Sequence, residues 1–254
     1  MIRVAKSAAS LGVFILLWAA FVQFSGVPNY LVPSPLAVGT TLWQVISDGS
    51  IFKHIFTTVF TAGVGYLIGA GVGLLIGSLL AEFSIADKLI RPYLVGLQSI
   101  PKVALAPLLI VWFGYGLEGK IVLVVLMTFF PVFVNTVAGL HTANKELIDL
   151  YRASSASRLR IFSEVKLPTA ASAVFAGLEV AVVLALIGTI VAEFVSAKAG
   201  LGYLVQVSST NYDVPMMFAA ITILAMLGIA SSKLLRFAHM RLVFWEGPRR
   251  NNDY

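Results

Sequence analysis

The stretch His141-Thr142-Ala143-Asn144-Lys145-Glu146-Leu147-Ile148-Asp149-Leu150-Tyr151-Arg152-Ala153-Ser154-Ser155-Ala156-Ser157-Arg158-Leu159-Arg160-Ile161-Phe162-Ser163-Glu164-Val165-Lys166-Leu167-Pro168 is polar, and apolar blocks flank it at residues 121–140 and 169–191. Each block has the length that crosses about 30 Å of hydrocarbon at about 1.5 Å per residue. A polar loop this long between two membrane spans needs a reason, because long ordered loops are usually functional. Within it, residues 146–153 and 158–165 each carry apolar side chains at helical spacing. The pattern predicts two short amphipathic helices meeting near residues 154–157. Such a pair suits either the membrane surface or the groove of a partner protein.

Outward from this loop the chain stays apolar. Hydrophobic residues make up 59% of the 254 and charged residues only 12%, with a mean hydropathy of +0.92. That balance excludes an ordinary soluble domain. Further candidate spans are residues 9–24, 57–80, 92–113 and 216–237, so the expected architecture is an all-α membrane protein with six transmembrane helices. Residues 1–254 read as a single transmembrane domain, with the loop at 141–168. Basic residues test the count. One set of polar segments holds Arg3, Lys6, Lys88, Arg91, Lys145, Arg152, Arg158, Arg160, Lys166, Lys233, Arg236, Arg241, Arg249 and Arg250; the other holds only Lys53, Lys120 and Lys198. This segregation puts both termini and the 141–168 loop in the cytoplasm. It also accounts for the net charge of +6 without nucleic acid, since the cations are dispersed with no aromatic interleaving.

The first span, with Arg3 and Lys6 before it, has the outline of a signal peptide, but no cleavage site followed by a soluble domain appears, and an uncleaved span is expected. The segment 25–56 is external, opening with the proline-rich Val27-Pro28-Asn29-Tyr30-Leu31-Val32-Pro33-Ser34-Pro35 and allowing a short interfacial helix over 36–46. Gly65, Gly69, Gly73 and Gly77 stack along one face of the second span, where small residues let backbones approach inside a bundle or between subunits. Pro101 and Pro107 interrupt the third span, which a membrane tolerates only where protein or water satisfies the freed carbonyls. Lys102 beside that break is a substrate-path candidate or a snorkelling ammonium. Glu179 falls about 16 Å into the fifth span, counted from Pro168. A carboxylate at that depth must face the bundle interior or water. It is a second path candidate or a structural carboxyl, with Lys102 as a conceivable partner. Glu193, nearer the external end, is a third.

Other chemistries find little support. Gly114-x-x-x-x-Gly119-Lys120 matches the phosphate-binding loop only in spacing, since Ile121 replaces the required Ser or Thr and no strand precedes it. His54, His141 and His239 show no metal-ligand spacing and are expected at surface or interfacial positions. The chain has no cysteine, so disulfides, thiolate catalysis and Cys-bound metals are excluded. No catalytic constellation and no metal site is expected.

The stretch from Asp149-Leu150-Tyr151-Arg152-Ala153-Ser154-Ser155 to Val165-Lys166-Leu167-Pro168 resembles the cytoplasmic signature of the membrane components of binding-protein-dependent ABC importers, of the nitrate/sulfonate/taurine type. That signature runs Glu-Ala-Ala, three residues, Gly, nine residues, Ile or Val, one residue, Leu-Pro. The resemblance extends to Leu31-Val32-Pro33-Ser34-Pro35, to residues 100–108 with Trp112-Phe113-Gly114, to Val191-Ala192-Glu193, and to Gly200-Leu201-Gly202-Tyr203-Leu204. Two departures stand out: Asp149 replaces the usual Glu and Ser155 the usual Gly. A β-carbon at a bend that favours φ > 0 costs about 1 kcal/mol.

The resemblance implies a type I ABC importer permease fold in the bacterial inner membrane. It implies a homodimer, two cytoplasmic ATPase subunits that bind ATP and Mg, and an external binding protein. The chain itself would hold no cofactor and contact membrane lipid but no nucleic acid. Asp149, Tyr151, Arg152, Ser155, Arg158, Leu167 and Pro168 would form the ATPase-coupling element, with Pro168 starting the next span at its first helical position. The cargo implied is a small organic or inorganic anion such as a sulfonate, nitrate or an aromatic carboxylate, or else a vitamin precursor. Two other classes fit the residues alone: an ion-coupled carrier using Glu179 or Lys102, and a scaffold that recruits a partner through the loop.

Overall fold

The computed structural model describes residues 2–28, 30–196 and 198–245, which form helices and turns and, among the described residues, no strand. Arg249 and Arg250, counted above for orientation, lie outside the described residues. So do the side chains of Arg3 and Lys6. The helices are α1 (Ile2–Phe24), α2 (Pro35–Ser47), α3 (Ser50–Glu82), α4 (Ser84–Gln98), α5 (Ala106–Phe113), α6 (Leu117–His141), α7 (Lys145–Ala153), α8 (Arg158–Ile161), α9 (Leu167–Ser196), α10 (Leu201–Thr210) and α11 (Val214–Leu242).

Four stretches are long and apolar enough to cross a membrane: α3, α6, the continuous helical run Arg158–Ser196 that ends in α9, and α11. The expected third span is not one straight helix. Its two parts, Asp87–Gln98 and Lys102–Phe113, meet at 79°, so it counts as a broken span. Pro101 has no N–H to continue the ladder, and the chain passes through a single 3₁₀ turn, Lys102–Leu105, before α5. The first helix runs to 23 residues and contains the apolar stretch Gly12–Phe24 among the described residues. The six expected spans are thus four full spans, one broken at Pro101, and α1 in front.

The interior is built on α6, which lies between α3 and α9. All four glycines of the α3 stripe face it. A β-carbon on Gly73 would sit 2.8 Å from the Phe129 carbonyl and one on Gly77 2.9 Å from Thr136 Cβ, while Gly65 lies against Val124 and Gly69 against Thr128. On the other side of α6, Gly139 meets Ala170 and Ala173, and Gly177 meets Pro131 and Asn135. Lipid provides no hydrophobic drive for helix association, so these close backbone approaches supply dispersion contacts instead. Around them pack Leu80 with Phe129, Phe130, Phe133 and Val137, and Ala70 with Val132 and Ala181.

Ahead of the second span, α2 begins on Pro35 with Ser34 as its cap, the Ala37 N–H donating to Ser34 Oγ at 3.2 Å. The second span starts seven residues earlier than its hydropathy suggested, at Ser50 rather than residue 57. Asp48 closes the turn by accepting from the Ser50 N–H at 2.8 Å, and that bond holds its carboxyl below the usual range. Ile51, Leu201 and Ile223 bring α3, α10 and α11 together in one apolar cluster.

Candidate functional site

The 141–168 loop folds as a helix, a tight turn and a second helix. Asn144 caps α7 by accepting from the Glu146 N–H at 2.8 Å. The far end closes with the Ser155 N–H donating to the Arg152 carbonyl at 2.9 Å and the Ala156 N–H to the Tyr151 carbonyl at 3.0 Å. That pair of bonds is a Schellman motif, which requires a left-handed residue, and Ser155 has φ 57°. Serine therefore occupies the bend in the very conformation that makes glycine usual there. Two residues on, Ser157 caps α8 by accepting from the Arg160 N–H at 3.2 Å.

Along α7 the side chains divide by face. Asp149 and Arg152 pair at 3.1 Å, both more than two-thirds exposed, so the pair contributes little to stability. Leu147 and Leu150 also point outward, at 40% and 61% exposure, on a helix too polar to sit in the core. Exposed leucines beside an ion pair make a surface that a protein partner can cover. Arg158 is exposed at the start of α8.

Pro168 does not start a helix. The chain is helical from Arg158 through Ser196, with a π-turn at Phe162–Lys166 in which the Leu167 N–H donates to the Phe162 carbonyl five residues back. This widening, one residue ahead of a proline that has no N–H to give, lets the helix continue. The second helix of the loop is thereby joined to the fifth span in one helical run. Lys166 donates to Glu82 at the end of α3 at 2.6 Å, and Trp245 Nε1 donates to the Pro168 carbonyl at 3.3 Å. The loop is tied to α3, α9 and the residues after α11.

The three intramembrane charges are not brought together. Lys102 donates to the Gln98 carbonyl at 2.8 Å, satisfying a group freed by the break, and its ammonium lies 4.6 Å over the Phe130 ring. Glu179 faces Arg236 of α11 at 3.8 Å, not Lys102. The ammonium of Lys102 stays at the break on the Gln98 carbonyl and the Phe130 ring, whereas Glu179 lies toward α11.

Glu193 is fully buried. Its Oε1 accepts from Thr58 Oγ1 at 2.8 Å and its Oε2 from the Gly202 N–H at 2.8 Å, while the Leu201 N–H donates to Thr58 Oγ1 at 2.8 Å. Leu201 and Gly202 are the first residues of α10, whose amides have no partner within their own helix. Glu193 and Thr58 thus cap α10 from two other helices. Gly200 has φ 126°, and a β-carbon there or on Gly202 would strike the Glu193 carboxylate. The Gly-x-Gly sequence is what admits this carboxylate.

His54 completes the corner. Its Nδ1 lies 3.1 Å from the Gly200 nitrogen, and its ring stacks on Tyr203. It is half-buried rather than on the surface, and His239 likewise stacks on Phe175 at 4.5 Å. Lys120, expected in a short external turn, is buried in the first turn of α6 and acts electrostatically on Glu193. Thr58, His54 and Lys120 went unrecognised in sequence because nothing local marks them. Thr58 and Glu193 are separated by 135 positions. No group of His, Asp and Glu able to hold a metal occurs among the described residues.

A bundle of several membrane-length helices, with a helix pair in the loop between two of them, defines the class as a membrane transport subunit of the type I importer fold. The family model of the binding-protein-dependent transport system inner membrane component matches residues 69–243. The chain is 34% identical over 237 residues to the riboflavin transport system permease protein of Chloroflexus aurantiacus, covering 93% of this chain and 88% of that one. It is 32% identical to the formylaminopyrimidine transport permease protein of Halalkalibacterium halodurans, covering 91% and 92%. Identity is also 32% to the putative aliphatic sulfonates transport permease protein of Bacillus subtilis, covering 92% and 84%. Among solved structures, an inward-facing crystal form of the MetNI methionine ABC transporter superposes with a TM-score of 0.59 at 21% identity, covering 77% of this chain and 93% of that one. The chain belongs to the binding-protein-dependent transport system inner membrane component family and is a permease subunit of an ABC importer for a small solute.

Proposed function

We propose that two copies of this chain form the translocation path of an importer powered by two cytoplasmic ATPase subunits, which bind the ATP and Mg, and supplied by an external binding protein. Both termini and the 141–168 loop face the cytoplasm in this reading. In the coupling element Asp149, Tyr151 and Ser155 meet the ATPase, with the outward Leu147 and Leu150 beside them, Arg152 and Arg158 hold the inner face that lines the cleft against α3, and Leu167 with Pro168 passes the motion into α9. The observation that carries it is the unbroken helical run from Arg158 to Ser196, braced to α3 by Lys166 and Glu82. A force on the helix pair then reaches two spans directly, which suits rocking of bundles about a central path. Lys102, Glu179 and Glu193 remain candidates for the path, with Glu193 acting through the position of α10.

Reconstitution tests this. Uptake into proteoliposomes requires the permease, a separate ATPase polypeptide, ATP and the binding protein together; gradient-driven uptake by the purified chain alone overturns the proposal.

For the cargo, we infer a small organic or inorganic anion such as a sulfonate, nitrate or an aromatic carboxylate. The similarity to a sulfonate permease supports this. A vitamin precursor is the second reading, supported by the relatives named for riboflavin and formylaminopyrimidine. Calorimetric titration of the cognate binding protein with taurine, riboflavin and a formylaminopyrimidine separates the two.

A further inference from the structure

Two cavities adjoin where the cytoplasmic end of α3 meets the α7 and α8 element. One, of about 690 Å³, is lined by Glu82, Phe83, Ile148, Arg152, Arg158 and Lys166 among others. The other, of about 290 Å³, is lined by Leu75, Leu79, Phe83, Arg158, Leu159 and Phe162 with little polar surface. They share Glu82, Phe83 and Arg158, so a basic chamber opens into an apolar slot. We propose that this cleft binds an anionic phospholipid of the cytoplasmic leaflet, its phosphate among Arg152, Arg158 and Lys166 and one acyl chain along Leu75, Leu79, Leu159 and Phe162.

Charge decides the headgroup. Three cations line the chamber against one carboxylate, Glu82, which Lys166 already engages at 2.6 Å. Arg152 bonds Asp149, whereas Arg158 makes no ion pair among the described residues. A guanidinium without a counter-ion at a membrane boundary matches a lipid phosphate, to which it can bond in bidentate fashion.

Depth decides the source of that phosphate. Leu75 and Leu79 belong to the membrane-crossing stretch of α3, and Leu75 lies about 10 Å along the helix from Glu82. Both are at least half exposed, as are Phe83 and Leu159. A soluble protein segment reaches the chamber but not a slot in the hydrocarbon, and a free phosphate leaves that slot empty. A diacyl lipid fills both. The face of α7 that lines the chamber carries Ile148 and Arg152, whereas Leu147, Leu150 and Tyr151 lie off it, so a lipid here leaves room for the ATPase.

The test is native mass spectrometry of the full-length chain released from nanodiscs of equal phosphatidylglycerol and phosphatidylcholine. Wild type should retain phosphatidylglycerol in excess. Arg158→Gln should lower that retention about fivefold, the effect of one basic residue at an anionic surface. Arg158→Lys should fall between the two, keeping the charge but not the bidentate bond, and Leu79→Asn should weaken retention of both lipids. The proposal fails if Arg158→Gln retains phosphatidylglycerol like wild type. It also fails if millimolar inorganic phosphate strips the lipid, marking a headgroup site only, or if added ATPase subunit displaces it, marking a protein-docking surface. Transport is not measured, so these outcomes stand apart from the coupling proposal.

Discussion

Ser155 and Glu193 show how much a single position constrains this fold. Ser155 sits at φ 57° in a turn that glycine enters without steric cost. Ser155→Gly is expected to stabilise the loop by up to about 1 kcal/mol, and Ser155→Val to destabilise it by at least as much, because β-branching aggravates the left-handed clash. Thermal unfolding of the purified chain checks the order Gly, Ser, Val; a valine variant as stable as wild type would show that the bend relaxes elsewhere. Glu193 is the opposite case, a carboxyl group buried because it is bonded. Glu193→Ala leaves the Gly202 N–H and the Thr58 hydroxyl without an acceptor, at about 1–3 kcal/mol for each buried group. Glu193→Gln keeps one acceptor oxygen and loses less. Measured by melting temperature, the two should separate clearly, and Thr58→Val combined with Glu193→Ala should cost less than the sum of the single changes because the groups share bonds. The left-handed place of Ser155 was legible through the resemblance, which puts glycine at that bend, whereas Glu193 stood out only as an acidic residue in an apolar span: its cap on α10 is assembled from α3 and α9.

At the scale of elements, packing follows backbone approach. Gly73 and Gly71 belong to the same helix, but a β-carbon on Gly73 lies 2.8 Å from the Phe129 carbonyl and one on Gly71 meets nothing within 4 Å. Helix propensity favours alanine over glycine by about 1 kcal/mol in either case. Gly71→Ala is therefore expected to be neutral or slightly stabilising, while Gly73→Ala forces α3 away from α6 and lowers the melting temperature. Equal effects at the two sites would mean that this helix pair is not held by close approach. The four-residue spacing made the stripe legible in sequence, but spacing cannot name the facing helix. Pro101 likewise announced a break without its 79° angle, which depends on the 3₁₀ turn and on Lys102 bonding the Gln98 carbonyl. Pro168 misled for a related reason. A proline ends or starts a helix when the ladder is regular, and the π-turn before it makes the ladder irregular.

For the whole molecule the question is whether the loop passes force to the bundle through its surface or through its braces, and two changes separate these. Leu150 is 61% exposed on α7, so Leu150→Asp should leave the folded permease intact yet reduce co-purification of the ATPase subunit severely. The pair of Lys166 with Glu82 lies away from that surface and joins the loop to α3 at 2.6 Å. Glu82→Lys or Lys166→Glu alone places like charges together, and the complex should still assemble while ATP hydrolysis no longer rises when loaded binding protein is added. The double exchange, Glu82→Lys with Lys166→Glu, restores opposite charges and leaves the net charge of the cleft unchanged, so it should recover stimulated hydrolysis and uptake. Failure of the double exchange, with assembly preserved, would mean that force travels from α8 into α9 alone and that the contact with α3 only steadies the fold.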